Sequence, residues 1–153
     1  MMPLFIAILS ALAPLIAMAS ERFAGLNPCA LCLWQRWPYW VAAGLALLAY
    51  VLPRRLMFGL VALALLTTGG IGALHVGVEQ KWWPSPLPEC SAPTAGEAKT
   101  VDDMLKAMSV KPSKPCDEPA YLIEGLPVSM AEMNLIYAVL LAGFVIGVSR
   151  RPR

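Results

Sequence analysis

Four apolar stretches, separated by polar segments, set the elements this chain is expected to form. Leu4 to Met18 is apolar apart from Ser10, a second stretch runs from Trp37 or a turn earlier to Leu52, a third from Leu56 to Leu74, and a fourth from Met130 to Val148. Each approaches the ~20 residues that cross a hydrocarbon core as a helix, the second only by recruiting residues from Leu31 onward. Only Pro53-Arg54-Arg55 separates the second and third, so these two form an antiparallel hairpin. Glycines at 69, 70 and 72 give the third a small-residue surface suited to close helix packing. In the first stretch, Ala17-Met18-Ala19 matches a small-x-small cleavage pattern, but no basic residue precedes the apolar run, so it reads as a retained helix.

Composition agrees with the pattern. Of 153 residues, 58% are hydrophobic and 14% charged, where a soluble domain carries about a quarter charged. The fold class is therefore an all-α integral membrane protein, a four-transmembrane-helix bundle forming a single membrane domain. Its spans are expected at about 3–19, 35–52, 56–75 and 130–148. Loops at about 20–34 and 76–129 then lie on one side, and the hairpin 53–55 and tail 149–153 on the other. Arg54, Arg55, Arg150, Arg151 and Arg153 all belong to that second side, with no acidic residue beside them, which makes it the cytoplasmic face. Both termini are then cytoplasmic. The net charge of +2 and the lack of a basic stripe with interleaved aromatics argue against a nucleic-acid partner.

All four cysteines fall on the outer side, Cys29 and Cys32 in the short loop and Cys90 and Cys116 in the long one. An even count on the oxidising side points to disulfides. Three full pairings are open from sequence, and pairing within each loop, Cys29–Cys32 and Cys90–Cys116, is the simplest. Two separate pairs also suit relay chemistry, because exchange proceeds through mixed disulfides. Arg36 follows Cys32 at i and i+4 if the run is helical. A guanidinium there favours a thiolate at Cys32, and an arginine at the mouth of an apolar helix is costly unless it has a functional partner.

The long loop has its own order. Trp82 and Trp83 suit the headgroup level, and Pro84-Ser85-Pro86-Leu87-Pro88 enforces an extended approach to Cys90. Thr100 to Met108 places Val101, Met104, Leu105 and Met108 on one face, which predicts a short amphipathic helix. Lys111-Pro112-Ser113-Lys114-Pro115 reads as irregular chain before Cys116.

This ordered set resembles the DsbB family of bacterial inner-membrane disulfide bond formation proteins. The likeness rests on four spans, a Cys-x-x-Cys before the second with an arginine four residues on, a histidine near the outer end of the third, and a Pro-Ser-Pro run before the third of four cysteines. The resemblance implies a protein dithiol:quinone oxidoreductase of the inner membrane, which reoxidises a periplasmic DsbA-like thioredoxin-fold oxidase and passes electrons to the quinone pool. It implies Cys90–Cys116 as the shuttle disulfide, Cys90 being the atom attacked, and Cys29–Cys32 as the pair that receives the electrons, Cys32 facing the quinone. Arg36, His75 and Glu79 would bind the quinone (ubiquinone or menaquinone), with Glu79 protonated or paired with Arg36 so as not to repel a reduced ring.

Two other readings stand beside this one. A DsbB paralogue serving a dedicated partner has the same motifs. A membrane metal-handling protein would use cysteine and methionine ligands, since Met104/Met108 and Met130/Met133 have helical spacing. Against a metal, the lone histidine lies far from Cys29 and Cys32 in the sequence, so no metal is expected.

Overall fold

The computed structural model describes residues 1–87, 90, 114–122 and 125–150. Every regular element among them is helical: α1 Met2–Ala24, α2 Ala30–Trp34, α3 Arg36–Leu48, α4 Arg54–Glu79 and α5 Met130–Arg150. Three of these, α1, α4 and α5, are long and apolar enough to cross a membrane. The second apolar stretch is divided. Its helix α3 has 13 residues, about 20 Å at 1.5 Å per residue, short of a ~30 Å core. Helix α2 precedes it with only Gln35 between, itself in right-handed helical conformation, so Ala30 to Leu48 together run about 28 Å.

Helices α1, α4 and α5 extend beyond the apolar stretches that mark them. Helix α1 continues past residue 19 to Ala24, which carries Glu21 and Arg22 on its last turn. It stops at Gly25, whose φ of 65° is a left-handed C-cap favourable to glycine. Helix α4 runs a turn beyond residue 75 to Glu79, so His75 and Glu79 share one helix face at i and i+4. After Leu48 the chain turns through residues 49–52, and Pro53 precedes α4, since proline cannot continue a helix but suits its start. Helix α5 opens with a reciprocal cap. The Glu132 N–H donates to Ser129 Oγ at 3.2 Å, and the Ser129 N–H donates to Glu132 Oε2 at 2.9 Å.

The helices pack in a ring in which α3 lies against α1 and α4, and α4 lies most extensively against α5. The core between them is small-residue rich: Ala42, Ala46, Ala138 and Ala142 surround Tyr39, Val61, Leu65 and Val145, all buried. Gly69 and Gly72 make the α4–α5 contact close. A Cβ at Gly72 would lie 3.0 Å from Asn134 Nδ2 and 3.5 Å from the Leu135 backbone, and one at Gly69 would lie 3.5 Å from Ala138 Cβ. Gly70, expected on the same surface, faces outward instead, and a Cβ at that position would meet nothing within 4 Å. Most outward leucines, valines and isoleucines of α1, α4 and α5 are exposed, as a lipid-facing surface requires.

Trp83 does not simply project toward headgroups. Its Nε1–H donates to the Leu74 carbonyl at 3.1 Å, and its ring lies over Gly77, so the chain after α4 folds back on that helix. Residues 84–87 are irregular, and the amphipathic helix expected at 100–108 lies outside the described residues, as does 111–113.

Candidate functional site

Cys29 is the N-cap of α2. Its backbone is extended, and its sulfur accepts the Cys32 N–H at 3.2 Å, in the position a serine or aspartate oxygen usually takes. One helical turn brings the Cys32 thiol onto the same sulfur, 2.7 Å away. No bond joins these two sulfurs here. Cys90 and Cys116 are joined to each other. The Cys116 N–H also donates to the Cys90 carbonyl at 3.2 Å.

The two pairs share one buried cluster. Cys29, Cys90 and Cys116 pack with Ala30, Leu31 and Val78, and Cys32, Ile71, Leu74 and Leu87 lie against them. The long loop therefore returns its disulfide to the C-terminal end of α4, beside the first pair.

His75, on α4, faces Cys29 with Nε2 3.5 Å from Sγ. Gln35 fixes the ring from the other side, its side-chain nitrogen 3.1 Å from His75 Nδ1. Donating there, the amide leaves Nε2 as the ring's N–H, aimed at the Cys29 sulfur. The Gln35 backbone is itself held, because its main-chain carbonyl accepts from Thr68 Oγ1 at 2.7 Å. Glu79 Oε1 lies 3.7 Å from His75 Nε2, and its other oxygen accepts from Ser129 Oγ at 2.5 Å. A line of polar groups thus runs Cys29, His75, Glu79, Ser129, tying α2, α4 and the start of α5.

The acidity of the two thiols departs from the expected order. Cys29 is lowered from 9.0 to about 5, first because the Cys32 thiol donates to it, with His75 adding a hydrogen bond and attraction against the opposing effect of burial. Cys32 is pushed up by giving that hydrogen bond, and by burial and the adjacent negative sulfur. The thiolate belongs to Cys29, where Arg36 was expected to favour it at Cys32. The reason is that the Arg36 charge is committed elsewhere.

Arg36 pairs with Glu21 on the last turn of α1, through both terminal nitrogens and both carboxylate oxygens. Glu79, the partner expected from sequence, is engaged with His75 and Ser129 instead. This bidentate pair leaves Arg36 Nε buried with no partner among the described residues. Cys32, Gln35 and Arg36 line one end of a cavity of ≈ 220 Å³. Its other walls are Leu12, Ala13, Pro14, Ile16 and Ala17 of α1, Tyr39 of α3, Leu122, and Met130, Met133, Asn134 and Tyr137 of α5. The cavity exists because α1 and α5 meet only sparsely, and Tyr137 Oη bridges them by donating to the Leu9 carbonyl at 2.7 Å. Leu12 and Ile16 are also exposed on the outer surface of α1, so the cavity opens between side chains that face lipid. Tyr39 Oη donates to Asn134 Oδ1 at 2.9 Å and fixes the opposite wall.

Of the seven residues singled out in the sequence, the structure gathers Cys29, Cys32, Cys90, Cys116, His75 and Glu79 around one end of α4, and sets Arg36 on the cavity side of Cys32. Gln35, Glu21 and Ser129 were not singled out. Gln35 and Glu21 carry no local signal, whereas Ser129-Met130-Ala131-Glu132 has the capping-box spacing that would place Ser129 at the head of α5.

The model of one protein family, DsbB (Disulfide bond formation protein DsbB), matches residues 1–148. No curated protein and no solved structure matches the chain. With almost its whole length matched, the chain belongs to the DsbB family of membrane disulfide-bond formation proteins.

Proposed function

We propose that this chain is a protein dithiol:quinone oxidoreductase, reoxidising a periplasmic DsbA-like dithiol oxidase through Cys90–Cys116 and then Cys29–Cys32. In the first exchange a partner thiolate attacks Cys90 Sγ and Cys116 leaves as the thiolate. The partner's second thiol then resolves the mixed disulfide, so the partner is oxidised and the loop pair reduced. The loop dithiol reduces the Cys29–Cys32 disulfide by the same two substitutions. What remains is a Cys29/Cys32 dithiol that must lose two electrons and two protons. A bound membrane quinone supplies the two-electron, two-proton acceptor for this step.

The observation that carries the reading is a mostly apolar cavity with Cys32 and Arg36 together on its wall. An apolar chamber with one cationic side chain on its wall fits a ring whose only polar atoms are its oxygens. The Arg36 guanidinium is the cation for a ring oxygen, and negative charge developing there is stabilised where water is excluded. Cys32 is the sulfur on the cavity wall. Cys29, already a thiolate, would form the bond to Cys32 Sγ as the Cys32 S–H bond breaks, its electron pair and proton passing to the bound quinone, whose second proton comes from solvent. His75 Nε2–H holds the Cys29 thiolate in place until then, and Glu79 lies next in line for a proton.

The same reading assigns the membrane arrangement. Helix α3 forms the body of the second crossing, with α2 at its outer mouth. The arginines of the 53–55 hairpin and the C-terminal tail face the cytoplasm with both termini, and the four cysteines face the periplasm.

Stopped-flow reduction of a soluble quinone by the pre-reduced chain tests the site. Arg36→Met removes a charge-assisted hydrogen bond, which is worth about 1.5–3 kcal/mol, roughly ten- to a hundredfold in quinone-dependent efficiency. Exchange between partner and loop pair stays near the parent rate. Arg36→Lys is milder but not neutral, because the ammonium keeps the charge and loses the planar fork that grips Glu21. Quinone kinetics unchanged in Arg36→Met would move the dock elsewhere.

A further inference from the structure

The histidine's distance along the chain was the argument against a metal, and the fold removes it. Cys29 Sγ, Cys32 Sγ and His75 Nε2 all lie within 4.8 Å of one another. We infer that the reduced Cys29/Cys32 pair and His75 form a capture site for a borderline-soft divalent ion of the zinc class, closed to the ion whenever the two sulfurs are joined as a disulfide. The proposal goes beyond the electron relay and does not depend on which acceptor the relay uses.

The donor set and its spacing carry it. Two thiolates and an imidazole are the ligands that zinc prefers over harder cations. A tetrahedral ion with ordinary Zn–S and Zn–N bonds sets a sulfur and an imidazole nitrogen about 3.6 Å apart. Cys29 Sγ and His75 Nε2 are 3.5 Å apart already. Two sulfurs on the same ion sit about 3.8 Å apart, against 2.7 Å here. Cys32 is the less buried member of the pair, so its side chain is the one with room to swing. Gln35 supplies the support a ligating histidine needs. Turned over, its amide offers Oε1 to the Nδ1–H and frees the Nε2 lone pair for the ion. Glu79 Oε1, 3.7 Å from the same Nε2, is the nearest oxygen for a fourth position.

Binding is a proton exchange and not a redox step: Cys32 releases its proton, Cys29 is already charged, both stay as thiolates on the ion, and no electron moves. Once held, neither sulfur is free to attack or to be oxidised. The site therefore opens only in the reduced chain and arrests the chain in that state.

Cobalt(II), followed by zinc(II) competition, tests this on the full-length chain in detergent, carrying Cys90→Ser and Cys116→Ser so that the loop sulfurs are absent. The reduced chain is expected to bind one cobalt, with a thiolate-to-cobalt band in the near ultraviolet and the strong visible bands of a tetrahedral ion. Zinc should bleach both. The same chain with Cys29–Cys32 oxidised, its helix content unchanged, is expected to show neither band. His75→Ala should weaken cobalt binding by at least about tenfold, and Gln35→Leu, which leaves all three ligands in place, by about tenfold. Absence of the bands in the reduced chain, equal binding by the oxidised chain, or unchanged affinity in both His75→Ala and Gln35→Leu would overturn the proposal.

Discussion

Cys29 gathers more of the site's chemistry than any other residue, because three different groups act on one sulfur. The Cys32 amide and thiol and the His75 ring all stabilise its charged form. Lowered to about 5 from 9.0, it is a thiolate at neutral pH in the reduced chain. The linkage has a definite sign. Unfolded, Cys29 ionises near 9.0, so the folded reduced state gains stability from this group as pH rises from about 5, fully above 9.0, and loses it as pH falls through about 5. Cys32 acts oppositely, since its raised pKa keeps it protonated where the unfolded thiol would ionise, so the advantage declines again above 9.0. Titrating thiolate absorbance in the reduced chain is expected to show one thiolate at pH 7 that disappears through about pH 5. A thiolate that forms only above pH 8 would contradict the N-cap account.

At this scale the sequence is legible only where chemistry is local. Cys29, Cys32 and Arg36 lie within two helical turns, so their spacing announces them. Which sulfur holds the proton is not legible, because the cation beside Cys32 is neutralised by Glu21 from another helix. No spacing rule links Glu21 to Arg36 or Gln35 to His75. Those pairings exist only once α1 and α4 have packed against the α2–α3 segment.

Among the elements, α4 sets the site. Its apolar length is plain from composition, but its last turn is not, since valine, glycine and glutamate after His75 look like the start of a loop. That extra turn is what puts Glu79 below His75. The three glycines show the same limit. Composition marks all of 69, 70 and 72, while only the rotation of α4 against α5 decides that two of them face a neighbour. Gly72→Leu is therefore expected to force α4 from α5, disturb Asn134, which bonds Tyr39 and the Thr68 carbonyl, and cost about 1–3 kcal/mol. Gly70→Leu, facing open space, should stay within about 0.5 kcal/mol of the parent. Unfolding of the two variants in mixed micelles measures the difference. Equal losses would mean that the α4–α5 contact does not depend on close approach.

At the scale of the whole molecule, the helices build two compartments that meet at one dithiol. On one side the buried cluster joins Cys29 to the loop disulfide. On the other, the cavity between α1 and α5 reaches Cys32 and Arg36. In the relay proposed above, electrons entering at the loop pair pass from sulfur to sulfur toward that apolar chamber. The membrane class and the ordering of the cysteines are readable because lipid imposes long apolar runs and oxidising surroundings impose paired cysteines. The cavity is not, because it is defined by where two helices fail to touch.

The most direct test of this relay is single-turnover oxidation of a reduced DsbA-like partner by the purified full-length chain, with quinone reduction followed in the same mixture. One quinone should be reduced for each partner disulfide formed. Cys90→Ala should abolish both signals with the partner, while the same variant, given a small dithiol to reduce Cys29–Cys32, still reduces quinone. Partner oxidation at the parent rate in Cys90→Ala, or partner oxidation without quinone reduction in the parent chain, would contradict the relay.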